Sequence, residues 1–341
     1  MRDKTTSFDI AELAGVSQPT VSRALRGDPT VSEATRKRIE AIALQLNYRI
    51  DKNASSLRRG QSRTLALLFF QDPTPDDSLI NPFFLSMLGS ILRTCALRGY
   101  DLLTSFQQLS SNWHVEYEDS RKADGIILLG YGDFALYQER LEQLVAQGTH
   151  FVMWGSPRPG QRWTTMGCDN QAGGHAAGAH LIGLGRQRIA FLGNASPRYP
   201  EFQDRYRGLC TAMAEAGLAA DPMLQADAIT TEEAGHQAAL DLIGRGIPFD
   251  AIFAGSDLIA IGAMRALEEK GYRVPEDVAI VGFDDIPAAA LSHPPLTTIA
   301  QDYARAGELL VDALIGQING AAAEQKMLTP RLVVRRSTGP A

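Results

Sequence analysis

The chain has 341 residues, 45% of them hydrophobic and 21% charged, which suits a globular protein of two or three domains, since single cores rarely grow past roughly 250 residues. No apolar run with a positive flank opens it and no window approaches about 18 consecutive apolar residues, so neither a secretory signal nor a membrane helix is expected, and a cytoplasmic location is. Net charge is −6, yet residues 1–63 hold 12 Lys+Arg against 7 Asp+Glu while the remainder holds 21 against 32; a basic head on an acidic body fits a polyanion partner at one end only.

In chain order, Thr6-Ser7-Phe8-Asp9 predicts a capped helix start, with the Thr6 hydroxyl on an orphan backbone N–H and Asp9 in the positive first turn. Ile10, Ala11, Leu13 and Ala14 then form one apolar face, and Gly15 leaves the helix through the left-handed region. Ser17 is a second N-cap, Pro19 is tolerated in a first turn, and Gly27 ends the segment. Two short helices joined by a glycine-containing turn make a helix-turn-helix. Val21, Ala24 and Leu25 face inward, which leaves Gln18, Pro19, Ser22 and Arg23 facing out, with Thr20 on the flank. A third segment, capped by Ser32, carries Ile39, Ile42, Ala43 and Leu46 at helical spacing and closes a three-helix core.

The words DIAELAGVSQPTVSRALRG and VSEATRKRIEAIALQLNY resemble the DNA-binding headpiece of the LacI/GalR family of bacterial repressors, and ASSLRRG at 54–60 stands where that family has a hinge helix. The resemblance implies that Leu57 is the leucine that wedges into the minor groove, where an apolar wedge kinks the duplex. Ile50 stands where the family usually has proline. The full set of DNA-facing residues implied is Thr6, Ser17, Gln18, Pro19, Thr20, Ser22, Arg23, Arg26, Arg36, Asn53, Ser56, Leu57 and Arg58. Gln18 and Arg23 would read base edges; Ser17, Ser22, Arg36 and Arg58 would touch phosphate.

From Thr64 the texture changes to short apolar strand-like runs (TLALLFF, YDLLT, GIILLG, HFVMW, then RIAFLGN, AIFAG, VAIVGFDD) separated by helical stretches. Such alternation predicts an α/β core of parallel sheets with right-handed crossovers. The domain reading is a headpiece at 1–50, hinge helix and linker at 51–63, lobes at 64–163 and 164–290, and a segment at 291–341 returning across both lobes.

NPFF at 81–84, GCDNQAGGHAAGAHLIGLGRQRIAFLG at 167–193, DRYRGL at 204–209 and PPLTTIAQD at 294–302 resemble the periplasmic-binding-protein-like effector core of the same family. By that resemblance the core is two doubly wound lobes, with Arg205 and Asp284 clamping an effector, Phe83 and Phe84 meeting it, and Ser256 bonding a sugar hydroxyl. Gly155-Ser156 replaces the family's frequent Asp-Arg, and Thr230 a frequent ring, so Trp154, Phe83 or Tyr199 would supply any stacking. An acidic Glu201 disfavours an anionic effector, which points to a neutral mono- or oligosaccharide.

The sequence carries no G-x-S-x-G elbow, P-loop or H-E-x-x-H, and Cys95, Cys168 and Cys210 make no zinc or disulfide pattern. No enzymatic activity, metal or cofactor is expected. The expected function is a homodimeric repressor of carbohydrate-utilisation genes that leaves a palindromic double-stranded DNA operator when a small effector binds. The alternatives are a regulator of the same family that an effector activates as corepressor, and a sugar-binding module without DNA.

Overall fold

The computed structural model describes residues 6–25, 27–46, 48, 61–71, 80–108, 111–130, 132–322 and 324–339. The chain divides into two compact units, 1–62 and 63–341.

The first unit holds α1 (Ser7–Ala14), α2 (Gln18–Ala24) and α3 (Glu33–Gln45). Thr6 and Asp9 form a reciprocal capping box: the Asp9 carboxylate accepts the Thr6 N–H at 2.7 Å, and the Thr6 hydroxyl accepts the Asp9 N–H. Gly15 takes φ 63° and ψ 36°, where a β-carbon would be strained. Ile10, Ala11, Ala14, Val21, Ala24, Val31, Ile39 and Ala43 make the core, with Leu25, Ile42 and Leu46 packed against it. Leu13 departs from expectation and is 64% exposed; at 3.6 residues per turn it points roughly 100° away from the Ile10–Ala14 stripe. Ser17 holds the N-cap position of α2 without a side-chain cap bond; its hydroxyl pairs instead with that of Thr20 at 2.9 Å.

The second unit contains two six-stranded sheets. In the first, β1 (Thr64–Phe69), β2 (Asp101–Phe106), β3 (Ile126–Leu129), β4 (Phe151–Trp154) and β5 (Thr164–Cys168) run parallel. The second has β6 (Ile189–Leu192), β7 (Gln225–Ala226), β8 (Ala251–Ala254), β9 (Ala279–Asp284) and β10 (Thr297–Ala300), also parallel. Strand β5 corrects the lobe boundary expected at 164: it pairs with β4, so the first sheet extends to Cys168. After β10 the chain recrosses. Helix α11 (Tyr303–Ile318) packs on α4 (Pro82–Arg98) of the first lobe, where Arg98 holds Asp312 through two hydrogen bonds. Strand β11 (Lys326–Leu328) then joins β5 in the first sheet, and β12 (Arg331–Val333) pairs antiparallel with β10 in the second.

The first lobe also holds α5 (Phe134–Ala146), and the second holds α6 (Asn170–Gly183), α7 (Pro200–Glu215), α8 (Glu232–Gly244), α9 (Asp257–Glu269) and α10 (Pro287–Leu291). Helix α6 is glycine-rich because it crosses α7 at backbone contact: a β-carbon on Gly174 would stand 1.9 Å from the Arg205 carbonyl oxygen, and one on Gly208 would stand 2.1 Å from that of Gln171. Gly235 and Gly262 repeat the device between α8 and α9.

Candidate functional site

The outward face of α2 in the headpiece has Pro19 and Arg23 exposed and Gln18, Thr20 and Ser22 half-buried. The Gln18 amide donates to the Ser7 hydroxyl at 3.1 Å, which fixes its side chain against α1. Arg36 donates to the carbonyls of Asp28 (2.9 Å) and Val31 (3.5 Å), so its guanidinium braces the turn before α3. Arg26, Asn53, Ser56, Leu57 and Arg58 lie outside the described residues.

In the second unit a buried polar cluster gathers beyond the carboxyl ends of the strands, the place where open parallel sheets bind ligands. Arg205 of α7 is completely buried. Its Nε donates to Asn170 Oδ1 at 2.8 Å, its Nη1 to the Gly255 carbonyl, and its Nη2 lies 3.8 Å from Asp284 Oδ1. The guanidinium carbon also sits 3.7 Å from the centre of the Phe283 ring, a cation–π contact. Asp284 ends β9 at φ 110°, a strained conformation that only its surroundings hold. Gln301 donates to it at 2.6 Å. Burial pushes its carboxyl up to about 6, with Arg205 and then Gln301 opposing.

Two neighbours have structural duties. Ser256 is the N-cap of α9, its hydroxyl accepting the Ile259 N–H at 3.3 Å. Asp257, the first residue of that helix, accepts from Ile286 N–H and the Thr298 hydroxyl. Burial, with Asp284 close by, drives its carboxyl far above the usual range.

Glu201 spans the lobes. Standing in the first turn of α7, it accepts the Ser156 N–H of the first lobe at 2.9 Å, and burial raises its carboxyl. Asn170 joins the same link, donating to the Ser156 hydroxyl at 3.0 Å while holding Arg205. Glu201 and Trp154 line a cavity of about 40 Å³ at the ends of β1, β3 and β4, together with Phe70, Gln107 and Gly130. Phe83 and Phe84 are each 1% exposed and belong to the core, edge to face at 5.2 Å, with Phe83 6.4 Å from Trp154. Tyr199 sits half-buried at the N-cap position of α7. The structure thus brings Trp154, Glu201, Arg205 and Asp284 to the cleft region and adds Asn170, Ser156 and Gln301. Gln301 lies in the stretch PPLTTIAQD, and Asn170 opens α6, a helix whose glycines give it little local propensity.

A helix-turn-helix unit ahead of a two-sheet core with a polar cluster at its strand ends defines a DNA-binding regulator with a ligand-responsive body. Residues 8–51 match the family model "Bacterial regulatory proteins, lacI family", and residues 179–338 match "Periplasmic binding protein-like domain". The ribose operon repressor of Escherichia coli (strain K12) is 32% identical over 97% of this chain and 99% of its own length. The transcriptional repressor CytR of the same strain is 31% identical over 98% and 96%. Among solved structures, the Lac repressor dimer bound to operator and the anti-inducer ONPF is 25% identical with a TM-score of 0.83 over 99% of this chain and 100% of that one. The transcriptional regulator CelR–cellobiose complex is 29% identical with a TM-score of 0.72 over 98% and 99%. The chain belongs to the lacI family; it is a DNA-binding transcriptional repressor and not an enzyme.

Proposed function

We propose that this repressor controls carbohydrate-utilisation genes and leaves a palindromic operator when a neutral mono- or oligosaccharide enters the cleft. The observation that carries the reading is the buried Arg205–Asp284 pair, 3.8 Å apart at the strand ends. A guanidinium fork beside a carboxylate matches the adjacent hydroxyls of a sugar. Glu201, buried at the lobe junction, opposes an anionic ligand there in its ionised form. Two relatives are a ribose operon repressor and a regulator solved with cellobiose, which supports the class of effector.

On the DNA side, Arg23 offers a bidentate pair to guanine and Gln18 reads a neighbouring base, while Thr6, Ser17, Thr20, Ser22 and the basic residues position the helix on phosphates. A single such unit buries little surface, so the working form is a homodimer on two half-sites, in the cytoplasm. Sugar binding rearranges the lobes and lowers operator affinity through a coupling of about 1–3 kcal/mol. The test is a gel shift on the DNA upstream of the coding sequence, with and without a panel of mono- and disaccharides, alongside calorimetry on the same panel. Failure to bind any palindrome there at low salt, or release by none of the sugars, would sink the reading. Tighter DNA binding with a sugar would make that sugar a corepressor.

A further inference from the structure

A second cavity, of about 490 Å³, opens between the start of α5, the loop joining β4 to β5, and the 197–198 turn of the second lobe. Its size falls within the range of about 300–1,000 Å³ usual for small-molecule sites. Three arginines line it, Arg158, Arg162 and Arg198, against one carboxylate, Glu142. The apolar wall is Phe134 with Trp163, their rings 6.4 Å apart. Arg158 lies over the Phe134 ring at 5.2 Å, and it donates to the Pro197 carbonyl across the lobe junction. Arg198 pairs with Asp133 at 3.2 Å, and its carbonyl accepts the Phe134 N–H at 2.8 Å. Arg162, by contrast, is exposed and makes no hydrogen bond or ion pair among the described residues. The cavity therefore presents one guanidinium with no protein partner among the described residues, beside an aromatic wall.

We propose that this cavity, which shares Phe134 with the smaller one at Trp154 and Glu201, binds a phosphomonoester of a ring compound at the outer edge of the lobe junction, away from Arg205 and Asp284 and without drawing on the sugar chemistry proposed for that pair. A phosphate dianion offers three terminal oxygens, enough acceptors for more than one guanidinium, whereas a carboxylate offers two. The ring lies against Phe134 and Trp163. Because walls come from both lobes, occupancy depends on how the lobes meet at Arg158–Pro197 and Phe134–Arg198.

The experiment is calorimetry on the full-length protein at low ionic strength with inorganic phosphate, glucose 6-phosphate, glucuronate and glucose. Glucose 6-phosphate is expected to bind about 10-fold or more tighter than phosphate, and glucuronate weakly. R162E, at an exposed position that folding tolerates, is expected to weaken glucose 6-phosphate about 10-fold or more, and R162A less. N170A, which alters the sugar cleft, should leave it unchanged. Absence of binding, indifference to R162E, equal or tighter binding of glucuronate, or loss in N170A would each overturn the site.

Discussion

Gly174 lies directly on the backbone of Arg205: a β-carbon there would stand 1.9 Å from the arginine's carbonyl oxygen. The position of the buried guanidinium is therefore set partly by a hydrogen atom on the neighbouring helix. Gly174→Ala must push α7 away, and overpacking of this kind costs typically 1–3 kcal/mol. The expected result is a loss of that order in urea-induced unfolding and about 10-fold weaker effector binding by calorimetry. Gly183, on the same helix, is the control, because a β-carbon there would meet no atom within 4 Å. Gly183→Ala should stabilise by about 0.4–1 kcal/mol through the unfolded chain alone and leave binding unchanged.

Asp284 carries a pH signature. Its carboxyl rises from 3.8 to about 6 in the folded chain, chiefly by burial. Between those values the folded protein keeps a proton that the unfolded chain has lost. Stability from this group is accordingly greatest below pH 4, falls as pH rises to about 6, and is level above. The change is on the order of 2–3 kcal/mol. Asp284→Asn has no proton to lose, so its stability relative to the parent should increase over that window in urea melts at pH 4.5, 5.5 and 6.5. A constant difference across the three would show that Asp284 stays ionised.

The headpiece is readable almost residue by residue because capping, the glycine exit and the small inner face are local effects; Thr6, Gly15 and Val21 sit as their chemistry requires. The body is less so where tertiary contact overrides local preference. Gly173, Gly174 and Gly178 argue against a helix on propensity, yet α6 exists because only glycine admits α7 and the Phe283 ring. Strand β5 holds two threonines and a glycine, all buried, and lacks the apolar run that marks its neighbours. Aromatic rings are ambiguous in another way: Phe83 and Phe84 suit a ligand wall and a core equally by composition, and in the fold they are as buried as Trp154, which lines the cavity beside Glu201.

Arg23 is exposed on α2, one turn beyond Pro19. If it reads a base, Arg23→Ala costs about 1–3 kcal/mol on the operator and flattens the preference at one base-pair position. Competition gel shifts with single-position operator libraries measure both. Uniform weakening on every sequence would make Arg23 a phosphate contact.

Leu85 and Leu92, one heptad apart on α4, are 40% and 47% exposed, with Leu103 of the edge strand β2 at 37%. An apolar stripe on a helix next to a sheet edge that is unpaired among the described residues suits association with a second copy. Leu85→Asp with Leu92→Asp should turn a dimer into a monomer in sedimentation velocity and lose the bivalent gain on a palindrome, with sugar binding kept. A double variant that still sediments as a dimer would place the interface elsewhere.

Glu201 accepts the Ser156 N–H at 2.9 Å from within the cleft wall. Glu201→Gln keeps an acceptor oxygen of the same reach and removes the negative charge, so the lobe contact survives while the repulsion of acids does not. With Arg162→Glu in the background to silence the outer cavity, the ratio of affinities for a neutral sugar and its uronic acid should fall about 10-fold, equivalent to roughly 1.4 kcal/mol. The neutral sugar itself should change far less. Calorimetry on the pair reads the ratio directly. An unchanged ratio would mean that acids are excluded by shape, and that the buried carboxyl serves only to join the lobes.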